Sequence, residues 1–437
     1  MFRLLGKNSV LARFPRKPVK ISGLPLGSRT YATSSEPKFI SKQTLTLVGL
    51  ISLTGYGLYW FYYPHNNYPR SVGKPLRNAL WQERKFQDFK TSIRFYIDAI
   101  NECKRLQIDE LSDDYTGIEI KMAQMYEKLD DIPQANEIYL KIVERILNAL
   151  KEKGELSQSR RDDLLKKDLS LVNKVITNQN LKETDNNVIN QQLDLIEFHL
   201  SLVEAEIYKK SPELQKSMKQ ATEDITFVNV NDKTSNTKSL SVEPEKLKQF
   251  SKLFASFKEE YFVVRDLYTE IFLRKNNIEQ AVESKMVTIG WMVLANMSRG
   301  QILLSQANLG SLLYMKAENM EANILRQKEQ DTGTAITNEL ERNRVFLLNM
   351  ATKYFESVIG NAGDSNRTKV KDETIDMTTL EAIGLSMYGL GIINLHQGDP
   401  MKAQHFLKEA LHLSKDIGFQ QLYEESSTEL GKLQKLQ

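Results

Sequence analysis

Leu390-Gly391-Ile392-Ile393-Asn394-Leu395-His396-Gln397-Gly398-Asp399-Pro400-Met401-Lys402-Ala403, continuing through Leu407, Ala410 and Leu411, decides the fold. Its apolar residues recur at helical spacing, and one glycine-bearing turn interrupts them. Gly391 is the small residue at which two helices touch. Gly398-Asp399 makes the tight turn, and Pro400 is tolerated at the start of the second helix. Ala403 and Ala410 are small contacts on one face, and Leu407 fills the bulky position between them.

The same arrangement recurs upstream. Ala123 and Tyr126 lead through Asp130-Asp131-Ile132-Pro133 to Ala135, Tyr139 and Ile142, with the spacings of the first copy. Two degraded copies close at Phe86-Gln87-Asp88-Phe89 with Ser92, Tyr96 and Ala99, and at Asn276-Asn277-Ile278 with Ala281. Leu309-Gly310 with Leu313 opens a further copy, whose second half is Ala351, Phe355 and Val358. A charged insertion, Gln327 to Asn343, separates its halves and predicts an extended helix hairpin or a mobile arm. The pattern resembles the tetratricopeptide repeat. Each such unit leaves an apolar face uncovered, so neighbours must stack.

The expected fold is therefore all-α, a solenoid of degenerate tetratricopeptide-like helix pairs. The Ser-, Thr-, Asn- and Asp-rich stretch Val228 to Ser241 has few large apolar residues and reads as disordered. A partly disordered linker over 211–243 then separates an N-terminal helical domain, 70–210, from a C-terminal one, 244–437. Within the first, Arg160–Tyr208 is helical in pattern but carries no repeat signature.

Ahead of this body lies a run without charge, Gln43 to Tyr63, long enough at 1.5 Å per residue to match a bilayer's hydrocarbon core of about 30 Å. Tyr56, Tyr59, Trp60, Tyr62 and Tyr63 crowd its C-terminal end, as rings at a membrane–water boundary do. Residues 43–63 are read as one transmembrane helix. Before Glu36 the chain has no acid but carries Arg3, Lys7, Arg13, Arg16, Lys17, Lys20 and Arg29, with Ser and Thr toward the end. That is the composition of a mitochondrial transit peptide, 1–31, with 32–42 a short matrix-side segment. Arg29-Thr30-Tyr31-Ala32 is similar to the arginine-minus-three sites of the matrix processing peptidase, so Arg29, Tyr31 and Ala32 mark the cleavage region. Import of such a leader leaves the body in the intermembrane space. Taking its seven positive charges from the net charge of +3 leaves −4, so the basic balance gives no reason to expect nucleic-acid binding.

No phosphate loop, zinc-binding helix or nucleophile turn is present. Cys103 is the one cysteine, which excludes a disulfide within the chain, and its helical setting reads as buried and inert. His405 and His412 are seven residues apart on one helix, about 10 Å along its axis, too far to share a metal. Asp113-Asp114, Asp130-Asp131 and Glu259-Glu260 read as solvated charge. No catalytic residue, cofactor or metal site is expected. Groove-facing positions of the repeats select Leu385, Tyr388, Ile392 and Leu395 in the last copy, and Leu304, Ala307, Ser311 and Tyr314 in the preceding one. This apolar, aromatic surface suits hydrophobic segments of unfolded chains. The same residues can instead pack against neighbouring helices or a capping C-terminal helix.

Leader, single span near residue 50 and degenerate repeat body together resemble one fungal family, the adaptor subunits of the mitochondrial inner-membrane i-AAA protease supercomplex. The resemblance rests on Arg29–Ala32, the apolar run and Leu390–Leu411. It implies a protein that is not an enzyme, works with the i-AAA protease and a second membrane adaptor subunit, and presents unfolded or misassembled proteins for degradation. A scaffold for respiratory-complex assembly and an outer-membrane import receptor are the alternatives.

Overall fold

Four turns of one design punctuate the helices. The computed structural model describes residues 68–151, 156–179, 185–226, 244–329, 334–362 and 376–436. The expected leader (1–31), matrix-side segment (32–42) and transmembrane run (43–63) lie outside them, as does the stretch 228–241. No described helix is long and apolar enough to cross a membrane. Among the described residues there are fifteen α-helices, one π-helical segment and no strand.

The turns fall where the repeat pattern puts them. Gln87, Asp130, Asn276 and Gly398 adopt left-handed φ of 52°, 61°, 58° and 79°. Each ends one helix, and the next residue, Asp88, Asp131, Asn277 or Asp399, caps the following one. The side chains of these caps accept from the N–H groups of Thr91 (3.1 Å), Gln134 (3.4 Å), Gln280 (3.2 Å) and Lys402 (3.1 Å). In all four turns the cap's own N–H reaches back across the previous helix end, Asp88 to the Gln82 carbonyl at 3.2 Å and the other three more closely. Asp131 donates to the Tyr126 carbonyl, Asn277 to Phe272 and Asp399 to Asn394, each at 2.9 Å. Carbonyls and amides left over at helix ends are thereby satisfied in a single residue step.

The chain forms two compact units, divided between Ile138 and Tyr139. In the first, α1 (Arg70–Trp81) runs into the π-helical segment Gln82–Phe86 and is followed by α2 (Phe89–Arg105) and α3 (Asp113–Lys128). One face of α1, Val72, Leu76 and Ala79, packs with Ile93, Tyr96 and Ala99 of α2 and Tyr115, Ile118 and Met125 of α3. The Ser92 hydroxyl donates to the Ala79 carbonyl at 2.9 Å, which is why a small polar residue stands where α2 touches α1. Glu83 ties the three together, accepting from Tyr96 Oη at 3.1 Å and Lys128 Nζ at 2.8 Å. Cys103 is buried in this core, as its helical setting predicts, and burial pushes its thiol pKa up. The division falls within α4 (Ile132–Lys151).

The second unit continues through α5 (Gln158–Asn178), α6 (Asn186–Lys210), α7 (Glu213–Thr226), α8 (Pro244–Phe254), α9 (Lys258–Arg274) and α10 (Ile278–Leu294). An aromatic cluster holds its middle: Trp291 lies 5.7 Å from Tyr208, 5.8 Å from Phe254 and 6.1 Å from Tyr261, ring to ring. Such pairs add about 1 kcal/mol each beyond area burial. Arg265 of α9 is buried and reaches Glu204 of α6 at 3.2 Å, while Lys166 of α5 faces Glu260 at 3.6 Å. Helices on both sides of 211–243 therefore share one core, and that stretch is not a boundary between domains. Its first half is also helical, as α7. Polar composition marks a connection without a core of its own, but it carries no information on what the flanking helices pack against.

Beyond α10, α11 (Arg299–Glu329) and α12 (Thr334–Ala362) form a long antiparallel hairpin, followed by α13 (Met377–His396), α14 (Pro400–Asp416) and α15 (Gln420–Leu436). The described residues of the charged insertion Gln327–Asn343 lie on the two helices of this hairpin, one of the two forms the sequence predicts. Gly391 is a contact residue: a Cβ there would come within 2.7 Å of Leu407 Cγ. Ala403, Leu407 and Ala410 are fully buried, as their spacing requires.

Candidate substrate site

The eight groove positions lie on the inward faces of α11 and α13. Leu304, Ala307, Ser311 and Tyr314 are buried, as are Leu385, Tyr388 and Ile392. Leu395 is half-buried. Seven of the eight are thus covered by the chain's own helices, α15 among them at Tyr388, so a bound segment would reach most of them only by displacing a helix. The packing reading of these residues, left open by the sequence, describes their position. The Ser311 hydroxyl donates back to the Ala307 carbonyl at 3.2 Å. Burial pushes the Tyr388 phenol well above its usual pKa, and Glu425 and Glu429 of α15 add to the effect.

Tyr314 stands at the edge of this filling. Its hydroxyl meets Glu318 Oε1 at 2.6 Å and makes a short hydrogen bond with His396 Nδ1. Burial, then the hydrogen bond to Glu318, keeps the phenol protonated far above neutral pH. It therefore serves as a fixed donor rather than an acid. Around it opens a cavity of about 190 Å³ lined by Tyr314, Glu318, Glu321, Arg344, Val345, Leu348 and His396 among others. Arg344 Nη2 lies 2.8 Å from Glu321 across the hairpin and forms one wall. A cofactor or drug-sized ligand generally needs about 300 Å³ or more. The volume here suits a single large side chain.

The hairpin also leaves apolar residues in solvent, and one of them, Val345, lines the cavity. Leu325 is 56 % exposed, Val345 47 % and Phe346 49 %. Sequence reading did not find them, although a signal exists. Val345-Phe346-Leu347-Leu348 is an unbroken apolar run inside a helix, and one helix face can bury only part of such a run. Leu347 and Leu348 take the buried positions and leave Val345 and Phe346 outside. The site thus offers exposed Val345 and Phe346, a side-chain-sized cavity and a polar rim of Arg344, Glu321 and His396. That arrangement can hold part of an extended or helical segment. It brings no nucleophile and base together.

One further polar site lies in the middle of the unit. His199 Nδ1 of α6 and Asp168 Oδ2 of α5 are 2.6 Å apart and almost wholly buried. Among the described residues, no group of three or more His, Cys, Asp or Glu is placed to hold a metal ion.

Residues 153–297, which include Asp168, His199 and the Trp291 cluster, match the family model of the MGR3 middle domain. The chain is 34 % identical over 428 residues to the mitochondrial inner membrane i-AAA protease supercomplex subunit MGR3 of Saccharomyces cerevisiae, covering 91 % of this chain and 84 % of that protein. It is 32 % identical over 407 residues to a second protein of the same organism, Protein MRG3-like, covering 88 % of this chain and 86 % of that one. Similarity of this extent along nearly the whole length places the chain in the MGR3 family.

Proposed function

We propose that this chain is a non-enzymatic adaptor subunit of the mitochondrial inner-membrane i-AAA protease supercomplex. In this reading a single span near residue 50 follows a cleaved leader, and the helical body faces the intermembrane space. A second membrane subunit joins it on the protease. The body holds unfolded or misassembled membrane and intermembrane-space proteins long enough for ATP-dependent degradation to begin. The observation that carries the reading is the identity along 91 % of the chain with a protein named as a subunit of that supercomplex. Exposed Val345, which lines the Tyr314 cavity, and its neighbour Phe346 support the substrate-holding role. Weak binding is enough, because tethering beside a protease raises the effective concentration of whatever is held.

The test is purification of the full chain from mitochondria in mild detergent, with identification of what accompanies it. An ATP-dependent AAA protease in the eluate is the expected result. Respiratory-complex subunits without the protease would instead point to an assembly scaffold. Digestion of the body in intact mitochondria, before swelling opens the outer membrane, would place it in the cytosol and reject the topology.

A further inference from the structure

We infer that the outward face of α1 and the π-helical segment after it form a docking surface for an anionic phospholipid bilayer, the one in which the chain's own apolar run sits. The inference rests on the single-span reading for where that bilayer is, and on the first compact unit for the surface. Arg70, Lys74, Arg77 and Trp81 are spaced four, three and four residues apart, so they share one side of α1, and all four are exposed. The opposite side, Val72, Leu76 and Ala79, is the buried one.

The π-helical segment extends the same patch. Lys85 Nζ lies 4.6 Å from the centre of the Trp81 ring and 5.6 Å from that of Phe86, which draws both rings and the ammonium together. Trp81 is 55 % exposed and Phe86 57 %, an uncommon outlay of large apolar surface for a helix end. Arg84 of the same segment is exposed as well. The two acids of this stretch do not offset them evenly. Glu83 turns inward to Tyr96 and Lys128, and Asp88 holds the Thr91 amide as a helix cap. The outward face is therefore cationic with two aromatic side chains at its end.

Position selects the occupant. Arg70 follows Tyr63, the last residue of the apolar run, by seven residues. At no more than about 3.6 Å per residue, α1 begins within about 25 Å of the bilayer boundary. A cationic face with aromatic residues suits the anionic headgroup layer, where rings settle and each nearby cation favours binding about fivefold. An acidic face of a protein partner could meet the same charge, but it would give no reason for exposed Trp81 and Phe86 beside a membrane boundary.

The test uses the full chain with Trp60→Phe, so that Trp81 and the buried Trp291 remain. The protein is reconstituted into vesicles of phosphatidylcholine, alone or mixed with phosphatidylglycerol, with lipid brominated near the headgroup as quencher. Trp81 emission should shift to the blue and be quenched in the mixed vesicles. In salt of about 1 M, where charges are screened within about 3 Å, quenching should fall to the level in neutral vesicles. The variant R70E/K74E/R84E/K85E should lose the anionic-lipid response, while K74R/K85R should keep it, which separates charge from folding. Equal exposure of Trp81 to aqueous iodide in both kinds of vesicle would overturn the inference. So would a charge-reversed variant that loses a co-purifying protease when the parent shows no lipid response. Carbonate extraction of the same samples reads the span by itself. Should the chain prove extractable, adding it to preformed vesicles still scores the docking face on the Trp81 signal.

Discussion

Phe355 of α12 lies directly on Gly310 of α11: a Cβ on that glycine would come within 2.9 Å of the ring carbon Cε1. Gly389 of α13 presses on the same ring, so one phenyl group fills a slot bounded by two glycines. A rigid, fully buried ring has nowhere to go. Gly310→Ala and Gly389→Ala should each destabilise the protein by about 1–3 kcal/mol, as over-packing generally does. Phe355→Ala should cost about 3–5 kcal/mol through the cavity it leaves. Urea midpoints measured side by side check the order, and a Gly389→Ala variant as stable as the parent would show that the slot is not tight.

Asp168 and His199 should behave as one unit. The Asp168 Oδ1 atom has no hydrogen-bond partner, and burial raises the carboxyl pKa while His199 pulls it back. His199→Ala strands the acid and should cost about 3–5 kcal/mol, whereas an apolar pair of similar size, Asp168→Leu with His199→Phe, should be close to neutral. Additive losses in the double variant would mean that the two residues do not depend on each other.

How far sequence reaches is visible in particular residues. Four of the left-handed turns were legible, because Asp130-Asp131, Asn276-Asn277 and Gly398-Asp399 place a residue tolerant of that region beside a capping side chain, and Gln87-Asp88 supplies at least the cap; those at Gln107, Asn296 and Gly418 have no such cap and were not. The long hairpin was legible from Gly310, Phe355 and the charges between them. Domain division was not: the contacts of Glu204 with Arg265 and of Lys166 with Glu260 join segments across the polar stretch, and no local pattern encodes them. Nor was the accessible site. Helical spacing picks Tyr388 and Ile392 equally well as groove or core, since periodicity gives a face but not what covers it. Val345 and Phe346 carried a readable excess of apolar residues, hidden beside the charged insertion.

Acid should loosen the first unit through Glu83. Burial alone would raise its carboxyl pKa, but the hydrogen bond from Lys128, the charge of Lys121 and the hydrogen bond from Tyr96 together leave it below the ordinary 4.5. A depressed carboxyl stabilises the fold above the unfolded pKa, and that contribution disappears as pH falls through the folded value. Stability should therefore drop from about pH 4.5 downward. Glu83→Gln should lower stability at neutral pH and flatten this acid limb, read as thermal midpoints against pH. An unchanged slope in Glu83→Gln would remove Glu83 from the account.

Charged residues at positions 345 and 346 separate holding a substrate from holding the fold together. Val345 and Phe346 are exposed, so Val345→Asp with Phe346→Asp should alter stability by no more than about 0.5 kcal/mol each. The same pair should weaken crosslinking of an unfolded client several-fold, since it places two carboxylates where apolar side chains would dock, while co-purification of the protease persists. Tyr388→Asp buries a charge among α13 and α15 and should lower the urea midpoint sharply. Loss of client crosslinking there would follow unfolding and say nothing about recognition. Arg344→Ala supplies a middle case: it opens the cavity wall and frees Glu321 without touching Val345 or Phe346. Client crosslinking that survives intact in Val345→Asp with Phe346→Asp, at parental stability, would take the hairpin out of substrate binding.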